Sequence, residues 1–406
     1  MSNQTRDRIT GSKGSDNRRR RRLVFPVIAI ALMLVPRLGA QNYRVLHNFT
    51  GGLDGSGPGS GRLLRDGNGN LYGTTIGGGA FGCGLVFKLD GNEDETVLHN
   101  FTCGLDGDSP DAGLVRWGDS LYGTTIMGGE FSEGFGLGGE VVFRLGALFK
   151  IDSDGNESVL HSFSDPNWPH GDLAQDAQGN FYGTNTSSGG GNGFGAVFKV
   201  DLLGNASVLH NFGGEPQDGA YPNGPVVLDA DGNIYGTTPQ GGDEDCNCGV
   251  VFKLDTNNQE TVLLKFGNGN GISSPSSPLV VDSNGDVIGT SRGGMNGSGV
   301  VFAISKVGGL KILHNFDYRS GASSPGGLIS DSSGNLYGTA SGGGAFGTGA
   351  VFKLSRDGDE TILHSFNGTD GSEPSGTLLL DATGNIYGTT PSGGTFGHGV
   401  VFEITP

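Results

Sequence analysis

The side chains that could do chemistry fall into a repeated set and a unique set. Six of the eight histidines recur in one context, Val-Leu-His-Asn-Phe or a variant of it: His47, His99, His161, His210, His314 and His364. Six imidazoles suggest a metal ring. Each belongs to a different copy of a repeat, however, so they should lie far apart. A structural role, such as bonding the backbone of a neighbouring copy, is expected, and no metal site or cofactor is assigned. The unique set is more informative. Asp165-Pro166-Asn167-Trp168-Pro169-His170 holds one of the two tryptophans and a histidine outside the repeat. An indole face with nearby amide, carboxylate and imidazole groups can hold a carbohydrate, through stacking and hydroxyl hydrogen bonds. The same residues would also serve as a packed loop with a solvated histidine. The acidic run Asp243-Glu244-Asp245 and His398 are likewise unrepeated.

Signatures of known catalysis are missing. No Gly-x-Ser-x-Gly elbow, His-Glu-x-x-His pair or phosphate-binding glycine loop occurs. Acid pairs for glycoside chemistry need a set separation in space, which spacing along this chain does not define. Asp-x-Asp-Gly pieces at Asp229 and Asp152 lack the full calcium-loop spacing and read as hairpin turns. Cys83 and Cys103 are candidates for one disulfide in an oxidising compartment, and Cys246 and Cys248 for a small local ring.

The elements that must position these groups are set by repetition. Tyr-Gly-Thr begins at Tyr72, Tyr122, Tyr182, Tyr235, Tyr337 and Tyr387, and Ile288-Gly289-Thr290 is a seventh copy. Successive copies lie 50, 60, 53, 53, 49 and 50 residues apart. Each copy has four short runs rich in Val, Ile, Phe, Tyr and Thr, bounded by turn residues, which is strand composition at strand length. The first two runs are joined by Asp-x-x-Gly-Asn, as at Asp66 to Asn70 and Asp381 to Asn385. There the Asp can bond the amides ahead of it and the Gly can take positive φ. Four-strand repeats of this length build β-propellers. The expectation is an all-β, seven-bladed β-propeller of four-stranded antiparallel blades, with strands a to d. The blades fall approximately at 60–101, 111–163, 171–212, 222–266, 275–316, 324–366 and 374–406. Residues 43–49 read as a d strand without an a, b or c strand before it, and residues 400–404 as a c strand without a d strand after it. The N-terminal strand should therefore complete the last blade and close the ring. A right-handed β-solenoid is the alternative.

In such a blade the d–a and b–c connections share one face, around the channel mouth. The b–c loops carry Phe81, Phe131, Phe194, Phe346 and Phe396 in a glycine-rich frame. These aromatics could form a collar that stacks a ligand or could plug the gaps between blades. Blade 2 also holds an insertion, Ser132 to Gly146, that breaks the repeat.

Residues 1–40 stand apart. Arg18 to Arg22 precede the apolar run Leu23 to Pro36, and Leu38-Gly39-Ala40 supplies small residues before Gln41. This is the pattern of a secretory signal, with an uncleaved anchor as the alternative. The apolar run is short for a membrane span, and no second one follows. Without residues 1–40 the chain keeps 16 basic and 40 acidic side chains. That balance argues against nucleic acid and anionic membranes as partners. A secreted, periplasmic or cell-surface monomer is expected, with a polysaccharide or an envelope protein as partner.

The pattern running from Gly-[LV]-[LV]-x-Asp-x-x-Gly-Asn-[LI]-Tyr-Gly-Thr-Thr through Val-Phe-Lys-Leu to Val-Leu-His-[NS]-Phe resembles the Gloeo/Verruco tandem repeat of exported bacterial proteins. The resemblance covers residues 43 to 406 and implies export but no particular activity. Many members carry a C-terminal surface anchor, whereas this chain stops at Pro406 directly after a strand, so stable surface anchoring is not expected. The strand pattern is also similar to the NHL class of propellers, which includes binding modules and a few lyases. The leading expectation is a non-catalytic binding or surface-interaction module acting through its variable loop face. A propeller lyase or glycoside hydrolase using loop acids or histidine is the second, and a purely structural envelope protein the third.

Overall fold

The computed structural model describes residues 41–130, 132–134, 142–164, 168–187, 193–214, 218–267, 271–275, 277–317 and 323–406. Residues 41–406 form one compact unit. Seven antiparallel sheets follow one another along the chain, each in the order a-b-c-d. Blade 1 shows the pattern: strand a is Leu64–Arg65, b is Leu71–Gly77, c is Leu85–Leu89 and d is Glu95–Asn100. The seventh blade takes strands a to c from Leu379–Leu380, Ile386–Thr390 and Val400–Thr405, and its d strand is Asn42–Asn48. Asn42 pairs with Thr405 and Asn48 with Val400 in that closing ladder. The all-β propeller closed by its N-terminal strand is thus the fold, and the solenoid alternative falls. The insertion in blade 2 contributes a separate two-stranded hairpin, Ser132–Gly134 with Val142–Arg144, while Ala147–Ile151 serves as that blade's c strand. Among the described residues no helix is long and apolar enough to cross a membrane.

Each residue of Tyr-Gly-Thr has a separate physical task. The Tyr72 hydroxyl donates to Asp66 Oδ2 at 3.0 Å, tying strand b to the a–b turn. The same bond recurs from Tyr182, Tyr235, Tyr337 and Tyr387 to Asp176, Asp229, Asp331 and Asp381. Gly73 lets the Phe87 ring lie flat across strand b, since a Cβ there would stand 2.6 Å from Phe87 Cζ. Thr74 Oγ1 donates to the Ala112 carbonyl of the next blade at 3.0 Å. Around the ring, Thr389 does the same to Gly59 at 3.1 Å, across the closing seam.

Blades join through aromatic pairs. The Phe that ends each d strand packs edge-on against the strand c Phe of the next blade. Phe101–Phe149, Phe212–Phe252 and Phe316–Phe352 have ring centroids 5.1, 5.1 and 5.0 Å apart. Phe366–Phe402 and Phe49–Phe87 continue the series through the closing blade at 5.3 Å each. Phe49, Phe87, Phe366 and Phe402 are fully buried. Such edge-to-face pairs contribute about 0.5–1.5 kcal/mol beyond their buried area.

The a–b turns close as expected. Asp66 Oδ1 accepts the amides of Asn68 and Asn70, both at 2.9 Å, and Gly69 takes φ 89°. Burial works against the Asp66 charge, but hydrogen bonds from Asn70 and Tyr72 outweigh it and hold the carboxyl below its ordinary 3.8. Asp176, Asp229, Asp331 and Asp381 are lowered in the same way.

Two outcomes follow. Deleting residues 41–49 removes the closing strand and Phe49, so the whole ring should melt at a markedly lower temperature. A calorimetric transition unchanged in midpoint and cooperativity would count against closure. The turn carboxylates have folded-state pKa values below the unfolded ones. Their stabilisation is complete above about pH 4 and is lost as pH falls through the folded values. Acid unfolding followed by circular dichroism should begin below about pH 4. Asp66→Asn should flatten that loss, and an identical acid profile in the variant would refute the role of this turn.

Candidate functional site

The a strands line the channel. Leu64, Val115, Ala174, Val227, Val280 and Ile329, from six blades, surround a lower chamber of about 680 Å3. Above it, on the face of the d–a and b–c connections, lies a second chamber of about 310 Å3. Its wall is polar and includes Ser60, Asp111, His170, Asn223, Arg292 and Ser375.

The repeat explains this wall. Ser60, Asp111, His170, Asn223 and Ser375 occupy one position of the repeat in blades 1 to 4 and 7, three residues before a buried aliphatic residue at strand a: Leu63, Leu114, Leu173, Val226 or Leu378. Two residues further on, Arg62, Asp172, Pro225, Pro278 and Thr377 form a second tier. Asp172, Pro225, Pro278 and Thr377 line both chambers, so the two chambers adjoin at this tier. The repeat is near-uniform elsewhere and varied here. Within these two tiers charge gathers on the side of blades 1 to 3, whereas blades 4 to 7 present hydroxyls, an amide, proline and glycine, and blade 5 adds Arg292 from its strand b.

Asp172 fastens this side together. Its carboxylate accepts the backbone N–H of Arg62 at 3.0 Å and of Gly113 at 2.6 Å, so one side chain links blades 1, 2 and 3. Gly113 has to be small, since a Cβ there would stand 2.5 Å from the Arg62 carbonyl. Burial pushes the Asp172 carboxyl up, against those two amides and the Arg62 charge. Asp111 is held by Ser60, accepting its N–H at 2.8 Å and its hydroxyl at 3.1 Å. His170 stands on the next blade. Burial pushes its imidazole below the ordinary 6.5 although the Asp111 charge pulls the other way. A neutral imidazole and a fixed carboxylate therefore share one polar chamber. Such a pair can exchange hydrogen bonds with ligand hydroxyls, and it can also accept a proton from one.

The other expected residues are dispersed. Trp168 is partly exposed two residues before His170 and is not among the chamber's lining residues. Asp165, Asn167 and Phe131 lie outside the described residues. Asp243 turns its carboxylate onto the Asp245 amide at 2.8 Å, and Glu244 and Asp245 are exposed; none of the three lines the chamber. His398 Nδ1 is 3.0 Å from Ser56 Oγ, so it bridges the b–c loop of blade 7 to the d–a connection of blade 1. Phe81, Phe346 and Phe396 are 58%, 63% and 56% exposed, so these three plug no gap between blades. Phe194 does pack, edge-on against Tyr221 at 5.7 Å. Cys83 and Cys103 are placed as disulfide partners with Cα atoms 5.4 Å apart, and Cys246 and Cys248 likewise at 5.2 Å.

Reading residue types along the chain found His170 but missed Asp111, Asp172 and Arg62. The signal was present in the column of the repeat that varies while its neighbours do not.

Solved structures with the same architecture include a streptogramin B lyase, 12% identical, with TM-score 0.58 over 90% of this chain and 97% of that one. Virginiamycin B lyase from Staphylococcus aureus is 11% identical with TM-score 0.58, over 90% and 99%. The extracellular domain of a putative hybrid two component system from B. thetaiotaomicron is 12% identical with TM-score 0.56, over 89% of this chain and 39% of that one. These likenesses concern the fold. No curated protein matches the sequence. The family model described as the Gloeobacter/Verrucomicrobia repeat matches residues 137–322 and 282–406, more than half of the chain. The chain belongs to the Gloeobacter/Verrucomicrobia repeat family.

Proposed function

We propose that this protein is an exported propeller that binds a polyhydroxylated ligand, the end of a polysaccharide or an oligosaccharide, in the upper channel chamber. The observation that carries this reading is the chamber wall. Serine and threonine hydroxyls, the Asn223 amide, Asp111, His170 and Arg292 converge on about 310 Å3. Sugars are recognised by such convergent donors and acceptors, with an aromatic face nearby for stacking. Phe81, Phe346 and Phe396 stand exposed on the b–c loops, outside the chamber's lining. A net charge of −17 for the whole chain disfavours nucleic acid as the ligand.

A second reading is favoured by one specific feature. His170 is held neutral beside Asp111 in the same chamber. An imidazole that is neutral at physiological pH is suited to act as a general base. On this reading the bound glycan is cleaved by elimination or hydrolysis.

Residues 1–40 are proposed to direct export and then to be removed. Mass spectrometry of protein recovered outside the cytoplasm should find Gln41 at or near the N-terminus. Retention of Arg18 to Arg22 would instead make the segment an anchor.

A panel of bacterial and plant glycans should contain one class that raises the melting temperature, since a ligand of the folded state alone must do so. Asp111→Asn and His170→Ala should each cut that shift by more than half. Product analysis on the same glycan separates the readings: intact glycan means binding alone, and products that disappear in His170→Ala mean catalysis. A shift equal in both variants would place the ligand elsewhere.

A further inference from the structure

The repeated histidines lie at the seams between blades, on the outermost strand, away from the channel. At each seam the histidine of one blade meets two acidic positions. One is in its own d–a connection, and the other begins strand d of the next blade. Among the described residues two seams bring all three groups together: His47 with Asp54 and Glu95, and His210 with Asp218 and Glu260. In each trio the ligating atoms all lie within 4.8 Å of one another. His47 Nε2 is 3.6 Å from Asp54 Oδ2 and 3.9 Å from Glu95 Oε2. His210 Nε2 is 3.4 Å from Asp218 Oδ2 and 3.8 Å from Glu260 Oε2.

The His–Asp gaps of 3.6 and 3.4 Å suit two ligands of one ion, and the His–Glu gaps of 3.9 and 3.8 Å are slightly wider. A four-coordinate ion with bonds of about 2.0–2.2 Å sets its ligand atoms roughly 3.3–3.6 Å apart. The trios also contain unmet bonding capacity. His47 Nε2, Glu95 Oε1, His210 Nε2 and Glu260 Oε1 are buried atoms without a hydrogen bond. The Asp members are held in place by the backbone. Asp54 accepts the Thr50 amide at 2.8 Å, and Asp218 accepts those of Gly213 and Gly219 at 2.5 and 2.6 Å. Fixing of a ligating carboxylate by outer hydrogen bonds is a regular feature of metal sites. Two carboxylates and an imidazole half-buried together are a donor set that a cation can satisfy. The side chains of His47 and Asp54 each keep 17% exposure, which leaves a path from solvent.

The other seams sharpen the case. At the blade 4–5 seam the histidine position is Leu264 and the glutamate position is Leu310, and both pack into one apolar cluster. At the blade 6–7 seam Tyr43 takes the glutamate position and stacks on His364 at 3.6 Å. The seam of His161 has Ala206 in place of the glutamate. No seam keeps the glutamate without its histidine. A glutamate present for solubility or strand pairing alone would not follow the histidine. At the third seam with all three residues, His99 Nε2 is already bonded to Asp106 at 3.1 Å.

We propose that the His47–Asp54–Glu95 and His210–Asp218–Glu260 seams each bind a divalent first-row transition metal ion, Zn2+ by preference. The ion clamps the outer strands of adjacent blades. Imidazole with two carboxylates suits zinc, whereas calcium takes oxygen ligands alone. Each bound ion replaces the unmet bonding capacity of a seam with coordinate bonds between blades 7 and 1 or between blades 3 and 4. The sites are separate from the channel and do not depend on what the chamber binds.

The test is a count of ions. Purified protein is stripped with chelator, dialysed against micromolar Zn2+, and its bound metal is measured by mass spectrometry. Two ions per chain and a raised melting temperature are expected, with no comparable rise in Ca2+. The control is written into the chain itself. His47→Leu with Glu95→Leu copies the Leu264–Leu310 seam, so the ring should still melt cooperatively in chelator while binding one ion fewer. Glu260→Gln, which keeps the side chain's shape, should remove the other. A stoichiometry below one, a count unchanged by these substitutions, or a response to Ca2+ alone would overturn the proposal.

Discussion

The edge-to-face contact between the Phe ending one blade and the Phe in strand c of the next is the interaction on which the rest depends. It repeats at every seam, including the closing one, and its rings lie in the buried core. A four-stranded sheet cannot bury both faces alone. Each blade therefore gains its core only by receiving its neighbour's Phe, and stability is shared around the circle. The Tyr-Gly-Thr glycine follows from this contact, because only glycine leaves room for the ring against strand b.

Most of the architecture could be read from the chain because it follows from local chemistry said seven times over. The Asp-x-x-Gly-Asn turns and the positive φ of their glycines rest on residues near one another in sequence, and the split final blade shows as incomplete repeats at the two ends of the pattern. The site was harder for a physical reason. Asp111, Asp172 and Arg62 come together only because the ring sets the starts of successive a strands side by side. Asp172 bonds the backbone of Arg62 from 110 residues away. Phe81, Phe346 and Phe396 were ambiguous for a related reason. Their glycine-rich loops specify a turn but not whether the aromatic points inward or outward, and the turn between Gly79 and Gly84 leaves Phe81 out in solvent.

The repeated histidines show how a repeat can mislead. Taken as one set they suggest a ring of ligands, and taken as distant residues they suggest inert structure. His161 and His314 do approach a neighbour's turn carbonyl through Nδ1, at 3.2 and 3.3 Å, which is the structural role. At His47 and His210, Nε2 faces acids that come from two blades. Residues that vary together at a seam thus carry information that neither blade carries alone.

The closing ladder has a consequence for how the molecule is made. Asn42 pairs with Thr405, so the first strand to leave the ribosome waits for a partner roughly 360 residues behind it. Loop-closure entropy grows only slowly with length, and the cost of that long wait is therefore mainly kinetic. Until strand 400–405 arrives, blade 7 lacks its c strand and strand 42–48 has no ladder to join. Strand 42–48 meanwhile presents unpaired backbone groups to any other edge it meets, including the vacant edge of a second chain. A crowded compartment of half-emerged chains would then favour rings closed by a neighbour's strand, and dilution during synthesis would favour the monomer.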